Sequence, residues 1–363
     1  MSIVFLVAFE ESPYSGVVRP FINWAKALRD RAIVAVYGCS NHLESYVSNA
    51  ADLNGFKFVG DKNFQGLVAK LNKNSIEYYF SDDYIPRVKL LLKAQDQIKA
   101  KCAVYTQILY GTHSIAKYSK DLLDLKTKLV FSAASAVPFK LVSSKYKSLL
   151  GKVDVVIASS IFTASMLNLV YGVGHAGVVY PPINIDVFRP SSVKPPGKEV
   201  LIYLGSGLGD TDPKLVQRLV SELNNDVSKV HLLGNERMYQ KYLNHGEKLV
   251  YHKGLEDREL AEIYSRVSLT IAPQTIEFFG LVPLESLSCG TPVLTRYPHE
   301  ALLEGTVGQV AYNDGDMTVR AKQLLAKPTD EKLSQKCREI ATRFSIEHST
   351  FDLLRILKLE INT

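Results

Sequence analysis

Short runs of β-branched and aromatic residues alternate with amphipathic stretches along the whole chain. Strands that are apolar along nearly their whole length and alternate with helices are typical of parallel sheets covered by helices on both faces. The predicted strands are Ile3–Phe9, Ile33–Tyr37, Phe56–Val59, Ile76–Phe80, Ala103–Gln107, Asp154–Ala158, Val200–Leu204, Val230–Leu233, Leu249–His252, Ser268–Ala272, Pro292–Thr295 and Gln309–Tyr312. The clearest helical patterns are Arg19–Arg29, Pro213–Leu223, Leu255–Tyr264 and Pro283–Ser288.

The pattern restarts at about residue 199, after a proline-rich stretch that suits an interdomain linker. Its prolines are Pro181, Pro182, Pro190, Pro195 and Pro196. At roughly 100–200 residues per domain, 363 residues also favour two domains. We therefore predict an α/β protein with two doubly wound Rossmann-like domains that face a central cleft.

The composition is that of a soluble globular protein, with 46% hydrophobic and 22% charged residues. The apolar start of the chain, Ile3–Phe9, has no basic residue before it and runs into Glu10, so it is predicted as a strand and not as a signal peptide. The longest apolar run, Leu129–Phe139, is too short to span a membrane. The cysteines are far apart, which argues against a disulfide framework or a zinc site and favours a cytoplasmic location. They are Cys39, Cys102, Cys289 and Cys337.

Positive charge is concentrated in the first half of the chain. Residues 1–180 contain 21 Lys and Arg against 13 Asp and Glu, a net charge of +8, whereas the remaining residues have a net charge of −2. A basic first half predicts an anionic partner, which could be a membrane surface, a nucleic acid or a phosphorylated acceptor. A solvated lysine-rich surface is the alternative.

A glycine-rich turn follows the first predicted strand of the second half, between Leu204 and Lys214. Three glycines, at positions 205, 207 and 209, let the backbone turn tightly, and Asp212 and Pro213 begin a helix. Such a turn can hold a phosphate, although a purely structural turn has the same composition.

The segment 273–294 contains a second and more specific pattern. Glu277 and Glu285 have seven residues between them and flank Gly280, after which Pro283 opens a short helix. Backbone N–H groups at a helix N-terminus attract an anion. Carboxylates beside an anion repel it unless they bind hydroxyl groups, so the hydroxyls of a sugar or ribose are their natural partners. The alternative is that both glutamates are solvated surface acids.

Together with the sequence Ser-Cys-Gly-Thr-Pro-Val that ends at Val293, the Glu-x7-Glu segment resembles the signature of the family-4 glycosyltransferases of the GT-B fold. Weaker similarities stand in the same order as in that family. They are Tyr14–Arg19, Asp154–Ser160 followed by Tyr171-Gly172, Pro181–Pro190 and Phe344–Glu347.

The resemblance implies a retaining enzyme that moves a sugar from a UDP-, GDP- or ADP-linked donor, without an essential metal or other cofactor. It implies that Glu277 contacts the donor sugar as the catalytic residue and that Glu285 binds the ribose. Other implied donor contacts are the backbone amides of Phe279, Gly280, Leu281 and Val282, the turn Gly254-Leu255 near the base, and Gly16 from the opposite domain.

Two departures from the family pattern affect the implied donor site. The family usually has an arginine directly after the glycine equivalent to Gly205 and a lysine five residues later. Here Ser206 and Thr211 occupy those positions. Gly205, Ser206 and Gly207 are nevertheless predicted to approach the diphosphate. Substitute cations are Lys214, Arg19 and Arg218.

The implied acceptor site also differs from the family. Ile108 stands where the family often has a histidine, and His113 is a candidate replacement. Asp82 and Asp83 end a predicted strand and are weak candidates for acceptor contacts, with a plain surface loop as the alternative. The loop 296–300 is shorter than the glycine-rich version in the family.

By this resemblance, residues 1–185 form an acceptor-binding domain, residues 186–340 form a nucleotide-sugar-binding domain, and residues 341–363 form a helix that crosses back to the first domain. The basic first half favours a lipid-linked acceptor or an anionic membrane surface, with peripheral attachment to the membrane. A nucleic acid or protein acceptor stays open. The candidate contacts are Lys117, Lys120, Lys126, Lys128, Lys140, Lys145 and Lys147. Two other functions also stay open: a non-catalytic nucleotide-sugar-binding module and a GT-B nucleotide-sugar epimerase.

Overall fold

The computed structural model describes residues 2–10, 16–107, 139–191, 198–205, 210–243, 247–275, 277–327 and 330–359. These residues form two compact units. The first comprises the described residues up to Ile183 together with those from Ser345 onward, and the second comprises the described residues of the span Asn184–Phe344.

The first unit is built on a parallel sheet of seven strands in the order β3-β2-β1-β4-β5-β6-β7. The strands are β1 Ser2–Ala8, β2 Ala32–Tyr37, β3 Lys57–Gly60, β4 Ile76–Asp82, β5 Lys101–Thr106, β6 Val155–Ala158 and β7 Gly177–Val178. The helices are α1 Val18–Leu28, α2 Asn41–Asn54, α3 Phe64–Leu71, α4 Ile85–Ile98, α5 Phe139–Leu150 and α6 Ile161–Met166, which continues as a π-helical turn, Leu167–Tyr171.

The second unit is built on a parallel sheet of six strands in the order β10-β9-β8-β11-β12-β13. The strands are β8 Glu199–Tyr203, β9 Lys229–Leu233, β10 Leu249–His252, β11 Leu269–Ala272, β12 Val293–Thr295 and β13 Gly308–Val310. The helices are α7 Pro213–Leu223, α8 Asp257–Arg266, α9 Leu281–Ser288, α10 Asp314–Ala326 and α11 Glu331–Thr342. Short helical turns at Glu236–Met238, Tyr239–Leu243 and Glu300–Leu302 complete the unit.

The two sheets confirm the predicted doubly wound α/β class. The predicted strands agree with the observed ones to within about two residues, and β7, which is only two residues long, was not predicted. Phe9 was wrongly included in β1, because its φ of +58° turns the chain out of the strand. The helix predicted from Leu255 begins at Asp257, because Glu256 and Glu259 form a capping box there. The helix predicted from Pro283 begins two residues earlier, at Leu281.

Polar side chains begin many of the helices by accepting a hydrogen bond from a backbone N–H of the first turn. These N-cap residues are Ser40, Asn63, Ser160, Asp212, Asn313, Asp330 and Ser345. Since four N–H groups at a helix start have no partner within the helix, these caps fix where each helix begins relative to the preceding strand.

The last helix, α12 Ile346–Leu357, packs into the core of the first unit. The indole Nε1 of Trp24 donates to Ser349 Oγ at 2.9 Å, and the Tyr78 hydroxyl donates to the Leu357 carbonyl at 2.9 Å. Leu353 of this helix is fully buried among the aromatic side chains of the sheet and of α1. The first unit therefore contains both ends of the described chain.

We predict that Leu353→Ala destabilises the first unit by about 2–4 kcal/mol, because a fully buried leucine leaves a cavity when it is truncated. Trp24 is the single tryptophan of the chain and lies in this core, so its fluorescence during urea unfolding reports on this unit. The matched control is Phe351→Ala on the same helix, whose side chain is 51% exposed and whose loss is expected to change stability by less than about 0.5 kcal/mol. Equal effects of the two substitutions would contradict this packing of α12.

Candidate functional site

The candidate site lies in the second unit, where the strand order reverses. Strands β8 and β11 are neighbours, and the chain leaves β8 toward β9 on one side and β11 toward β12 on the other. In doubly wound sheets the crevice at such a reversal, outside the carboxyl ends of the strands, is the usual ligand site. The two motifs found in the sequence follow β8 and β11, so the sheet topology brings them together.

The segment after β8 turns tightly at Gly205, whose φ is +82°. A Cβ atom at this glycine would overlap Asp210 Oδ1 and would lie 2.7 Å from Thr211 Oγ1, so a larger residue does not fit. Asp212 then caps α7 by accepting from the Lys214 N–H at 2.9 Å. The turn at Gly205 and the helix cap at Asp212 are therefore present as predicted, whereas the glycines at positions 207 and 209 lie outside the described residues.

Polar contacts tie the segments after β8 and β11 to each other. The Gln274 amide donates to the Tyr203 carbonyl at 3.1 Å and to Thr211 Oγ1 at 3.3 Å. The backbone N–H and the hydroxyl of Thr275 both donate to the Asp210 carbonyl, at 3.0 and 3.2 Å. Thr211, which replaces the family's lysine, is 1% exposed and serves this connection.

Glu277 is half-buried in the loop that follows β11. Its carboxylate accepts from the backbone N–H of Phe278 at 3.0 Å. The pKa of Glu277 is raised to about 7, mainly by burial and in part by the negative charge of Asp210, while hydrogen bonds from the N–H groups of Phe278 and Phe279 oppose the shift. The carboxyl therefore exchanges its proton near neutral pH.

Glu285 lies inside α9 and is only 2% exposed. Its carboxylate accepts from the Tyr264 hydroxyl at 3.0 Å. Burial and the neighbouring Glu285 charge raise the pKa of Tyr264 well above its usual value, so this hydroxyl keeps its proton and can donate. The alternative interpretation of Glu285 as a solvated surface acid is wrong.

Helix α9 begins directly beside these carboxylates. Gly280 is its N-cap, with φ +74°, and it provides no capping side chain. The N–H groups of Leu281 and Val282 are in the first turn, where the backbone has no partner within the helix. The N–H of Phe279, which was predicted to contact the donor, hydrogen-bonds the Glu277 carboxylate in this structure.

The other predicted donor contacts of this unit lie around the same sheet edge. Gly254, with φ +65°, and the half-buried Leu255 form the turn after β10. Lys214 and Arg218 are exposed on α7. Their roles in binding stay predictions.

Gly16 and Arg19, also predicted to approach the diphosphate, belong to the first unit. Gly16 is exposed directly before α1, and Arg19 is the second residue of that helix. Their roles also stay predictions. The predicted donor contacts Ser206 and Gly207 lie outside the described residues. So do the predicted acceptor contacts His113, Lys117, Lys120, Lys126 and Lys128.

Asp82, the other acceptor candidate, is buried at the end of β4. Its carboxylate forms an ion pair with Arg87, which also pairs with Glu10 at 2.5 Å. Burial raises the pKa of Asp82 to about 6, although the Arg87 charge opposes the shift. Asp83 is also buried and accepts from the Tyr146 hydroxyl at 2.8 Å. The surface-loop interpretation of Asp82 and Asp83 is therefore wrong, and the acceptor role of Asp82 stays a prediction.

Several residues of the site were not predicted from the sequence. Asp210 adds a third carboxylate beside Glu277 and Glu285, and the hydroxyl end of Tyr297 lies close to Gly280. His299 is 1% exposed and contacts the Gly280 carbonyl at 3.1 Å. Tyr297 and His299 lie in the loop 296–300, which is shorter than the glycine-rich loop of the resembled family. This difference in length was the one signal in the sequence that pointed to them. Within the described ranges, no group of three or more His, Cys, Asp or Glu side chains is arranged to hold a metal ion.

Residues 184–343 match the family model described as Glycosyl transferases group 1. This part of the chain is similar to the group 1 glycosyl transferases. The match includes the segments after β8 and β11 and the whole of α9. The predicted resemblance to glycosyltransferases is thereby confirmed.

Curated relatives of the chain have glycosyltransferase names. The chain is 26% identical over 243 residues to a D-inositol 3-phosphate glycosyltransferase of Nocardiopsis dassonvillei, with 58% of this chain and 57% of that protein covered. It is also 26% identical over 225 residues to the lipopolysaccharide core biosynthesis mannosyltransferase LpcC of Rhizobium leguminosarum, with 56% and 62% covered. The chain spans about half the length of the first curated relatives that it matches.

Solved structures support the fold over the whole chain. A glycosyltransferase from Rickettsia africae superposes with a TM-score of 0.73 at 14% identity, with 98% of each chain covered. Anabaena HepE in complex with UDP-glucose superposes with a TM-score of 0.66 at 16% identity, with 99% of each chain covered. The fold is GT-B, as predicted.

We predict that Glu277→Gln raises the free energy of unfolding by roughly 1–3 kcal/mol at pH 8 and leaves it nearly unchanged at pH 4.5. The pKa of Glu277 is raised from 4.5 to about 7 on folding, so the folded protein holds the proton more tightly. This contribution to stability is present below pH 4.5 and is lost as the pH rises through about 7. Glutamine is neutral at both pH values and avoids the cost of ionising a buried carboxyl.

The measurement is urea unfolding followed by circular dichroism at both pH values. Glu222→Gln, at an exposed glutamate of the same unit, is the control and should show no such pH dependence. A Glu277→Gln effect of equal size at pH 4.5 and pH 8 would contradict the raised pKa.

Proposed function

We propose that the protein transfers a sugar from a nucleotide-sugar donor to an acceptor. The observation that carries this proposal is the meeting of two carboxylates with the N-terminus of α9 at the carboxyl edge of β8 and β11. A helix N-terminus suits a diphosphate, and carboxylates beside it suit the hydroxyls of a sugar and a ribose. The names of the curated relatives and the UDP-glucose bound to Anabaena HepE support the same ligand class.

The carboxylates are assigned different partners in this proposal. Glu285 is buried and its carboxylate accepts from the Tyr264 hydroxyl, and it is assigned to the ribose hydroxyls. Glu277 is half-buried in the loop that follows β11, and it is assigned to the donor sugar. Its pKa of about 7 lets it bind as an acid or as a carboxylate, according to the charge of the group beside it.

Bond breaking places negative charge on the leaving diphosphate. The N–H groups of Leu281 and Val282 are held in place by α9 and stabilise that charge without rearrangement. We propose that they do so without a metal ion, and that the sugar keeps its anomeric configuration because the acceptor attacks from the side of the leaving group. No nucleophilic side chain is assigned to the enzyme.

The first test is a thermal-shift panel of UDP, GDP and ADP and of their glucose, mannose and N-acetylglucosamine conjugates. One nucleotide is expected to raise the midpoint, because a ligand that binds only the folded state stabilises it. Glu285→Gln should weaken that nucleotide about 5–150-fold, the range of 1–3 kcal/mol for losing a charged hydrogen-bonding group, and Glu222→Gln should leave it unchanged. No shift with any nucleotide, or equal binding by both variants, would overturn the proposal.

Turnover separates transfer from the two alternative functions. Release of a nucleoside diphosphate that needs an acceptor and persists in EDTA is expected, with NMR of the product showing the donor's anomeric configuration. Binding without turnover would instead identify a binding module, which is favoured by the buried Thr211 in place of a cation. Isomerised donor without an acceptor would identify an epimerase.

An apolar and basic surface in the first unit bears on the acceptor. Large exposed hydrophobic side chains gather on α5, on α6 and on the π-helical turn, and α5 packs beside this turn through Phe139 and Tyr171. They are Phe139, Leu141, Ile161, Phe162, Leu169 and Val170. The same stretch, 139–172, carries four lysines and a single acid. This apolar–basic surface suits an anionic lipid bilayer, so we propose a lipid-linked acceptor and peripheral attachment at the cytoplasmic side.

Among the described residues, no helix is long and apolar enough to cross a membrane. The name of the Rhizobium relative, a lipopolysaccharide core mannosyltransferase, supports an acceptor of lipid type.

We predict co-sedimentation with vesicles that contain phosphatidylglycerol at low salt, weakened at high salt, because lysines attract anionic headgroups within a Debye length. Replacing Leu141 by Ser and Lys145 by Glu should reduce the bound fraction several-fold. Leu303→Ser, at an exposed leucine of the second unit, is the control and should bind like the wild type. Absence of binding at both salt concentrations would overturn the membrane proposal and leave a nucleic acid or a protein as the acceptor.

A further inference from the structure

The peptide between Gly280 and Leu281 stands at the start of α9. Gly280 has φ +74° and ψ 119°, a conformation that residues with a side chain rarely adopt. A Cβ atom here would lie 2.6 Å from the Tyr297 hydroxyl oxygen and 2.9 Å from Glu277 Cγ, so only glycine fits. Because glycine has fewer restrictions on its backbone dihedral angles than any other residue, contacts with neighbouring residues must hold this peptide in one orientation.

His299 contacts this peptide from the loop after β12. Its Nε2 lies 3.1 Å from the Gly280 carbonyl oxygen, and its Nδ1 accepts from the Ala301 N–H at 3.1 Å. A backbone N–H can only donate, so Nδ1 must be unprotonated. The hydrogen of the neutral ring is therefore on Nε2, which donates to the Gly280 carbonyl.

The imidazole is held in this position by its surroundings. It is 1% exposed and packs against the Phe279 ring at a centroid distance of 4.6 Å, with the Tyr297 ring at 6.4 Å. Burial lowers the pKa of His299 to about 4, so the ring is neutral in the usual working range. A neutral, fixed ring satisfies one donor and one acceptor of the backbone at once.

We propose that His299 is a positioning residue that orients the Gly280–Leu281 peptide for diphosphate binding. In a trans peptide the carbonyl and the N–H point in opposite directions, so anchoring the carbonyl on His299 directs the Leu281 N–H away from the ring, outward from the helix N-terminus. The carbonyl of an N-cap residue also starts the helical hydrogen-bond pattern, and its oxygen can accept two hydrogen bonds. His299 therefore reinforces the helical geometry at Gly280, where the backbone of α9 is least restrained.

This inference rests on the proposed donor site, because the diphosphate gives the orientation its function. It goes beyond that site, because the hydrogen-bond partners of His299 are the Gly280 carbonyl and the Ala301 N–H, and neither group is assigned to the donor. The residue lies in the loop whose sequence departs from the glycine-rich pattern of the resembled family.

Two variants separate the two hydrogen bonds of His299. In His299→Asn the shorter side chain can still accept from Ala301 N–H, as asparagine does at helix N-caps, but it does not reach the Gly280 carbonyl. In His299→Gln the longer side chain can still donate to Gly280, and the cap at Ala301 is lost. Both variants remove the same buried ring, so both should lower the unfolding midpoint.

The binding probe is whichever of UDP, GDP and ADP stabilises the wild type, measured by calorimetry at neutral pH. We expect His299→Asn to weaken it roughly 5–30-fold, as for the loss of one hydrogen bond that orients a donor, and His299→Gln to weaken it less than about threefold. Equal loss of nucleotide affinity in the two variants, or no loss in either, would overturn the positioning role. If His299 were purely structural, the loss of affinity would follow the loss of stability, whichever hydrogen bond is kept.

A second measurement does not depend on a ligand. Long-range proton–nitrogen NMR spectra of the histidine rings, assigned by comparison with His299→Gln, should show the Nε2–H tautomer for His299 at neutral pH. Amide hydrogen exchange should be faster in His299→Asn than in His299→Gln at Leu284, whose N–H makes the first helical hydrogen bond to the Gly280 carbonyl.

An Nδ1–H tautomer, or equal exchange in the two variants, would overturn the inference even if nucleotides bind. If no nucleotide binds the wild type, the proposed function fails, and these spectra still decide whether His299 holds the peptide.

Discussion

The neighbouring pair of strands β8 and β11 is the constraint on which the chemistry of the second unit depends. Because the chain winds away from this pair in opposite directions, the helices that follow the two strands cover opposite faces, and the carboxyl edge between them stays open. Gln274 closes the base of this opening by joining the Tyr203 carbonyl to Thr211. A loop that is fixed at its base can hold Glu277 half-buried, and so with a pKa far from that of an exposed acid.

Two opposite electrostatic tendencies meet at this edge. The N-terminus of α9 attracts negative charge, whereas Asp210, Glu277 and Glu285 repel it. The free protein reduces the conflict by letting the N–H of Phe278 bind the Glu277 carboxylate and by shifting the pKa of that carboxyl toward neutrality. The charge of the site can therefore change by one proton at Glu277 when an anion binds. A site made only of fixed cations could not change its charge in this way.

The sequence predicts those parts of the fold and site that depend on local pattern. Apolar strands, helix caps such as Asp212 and the glycine turn at Gly205 are encoded by neighbouring residues, and they occur where expected. The burial of Glu285 against Tyr264 could not be predicted, because the two residues are brought together by packing of α8 beside α9. The same holds for His299, whose partner Gly280 is remote in sequence, and for Asp82, whose burial depends on Arg87 and Glu10.

The return of α12 to the first unit has a consequence for biosynthesis. The indole of Trp24, near the beginning of the chain, has its hydrogen-bond partner at Ser349, more than three hundred residues later. Domains usually fold as units in the order in which they leave the ribosome. Here the core of the first unit stays open until α12 has been synthesised, whereas every described element of the second unit precedes α12 in the chain. The second unit is thus able to finish folding before the first unit, even though most of the first unit precedes it in the chain.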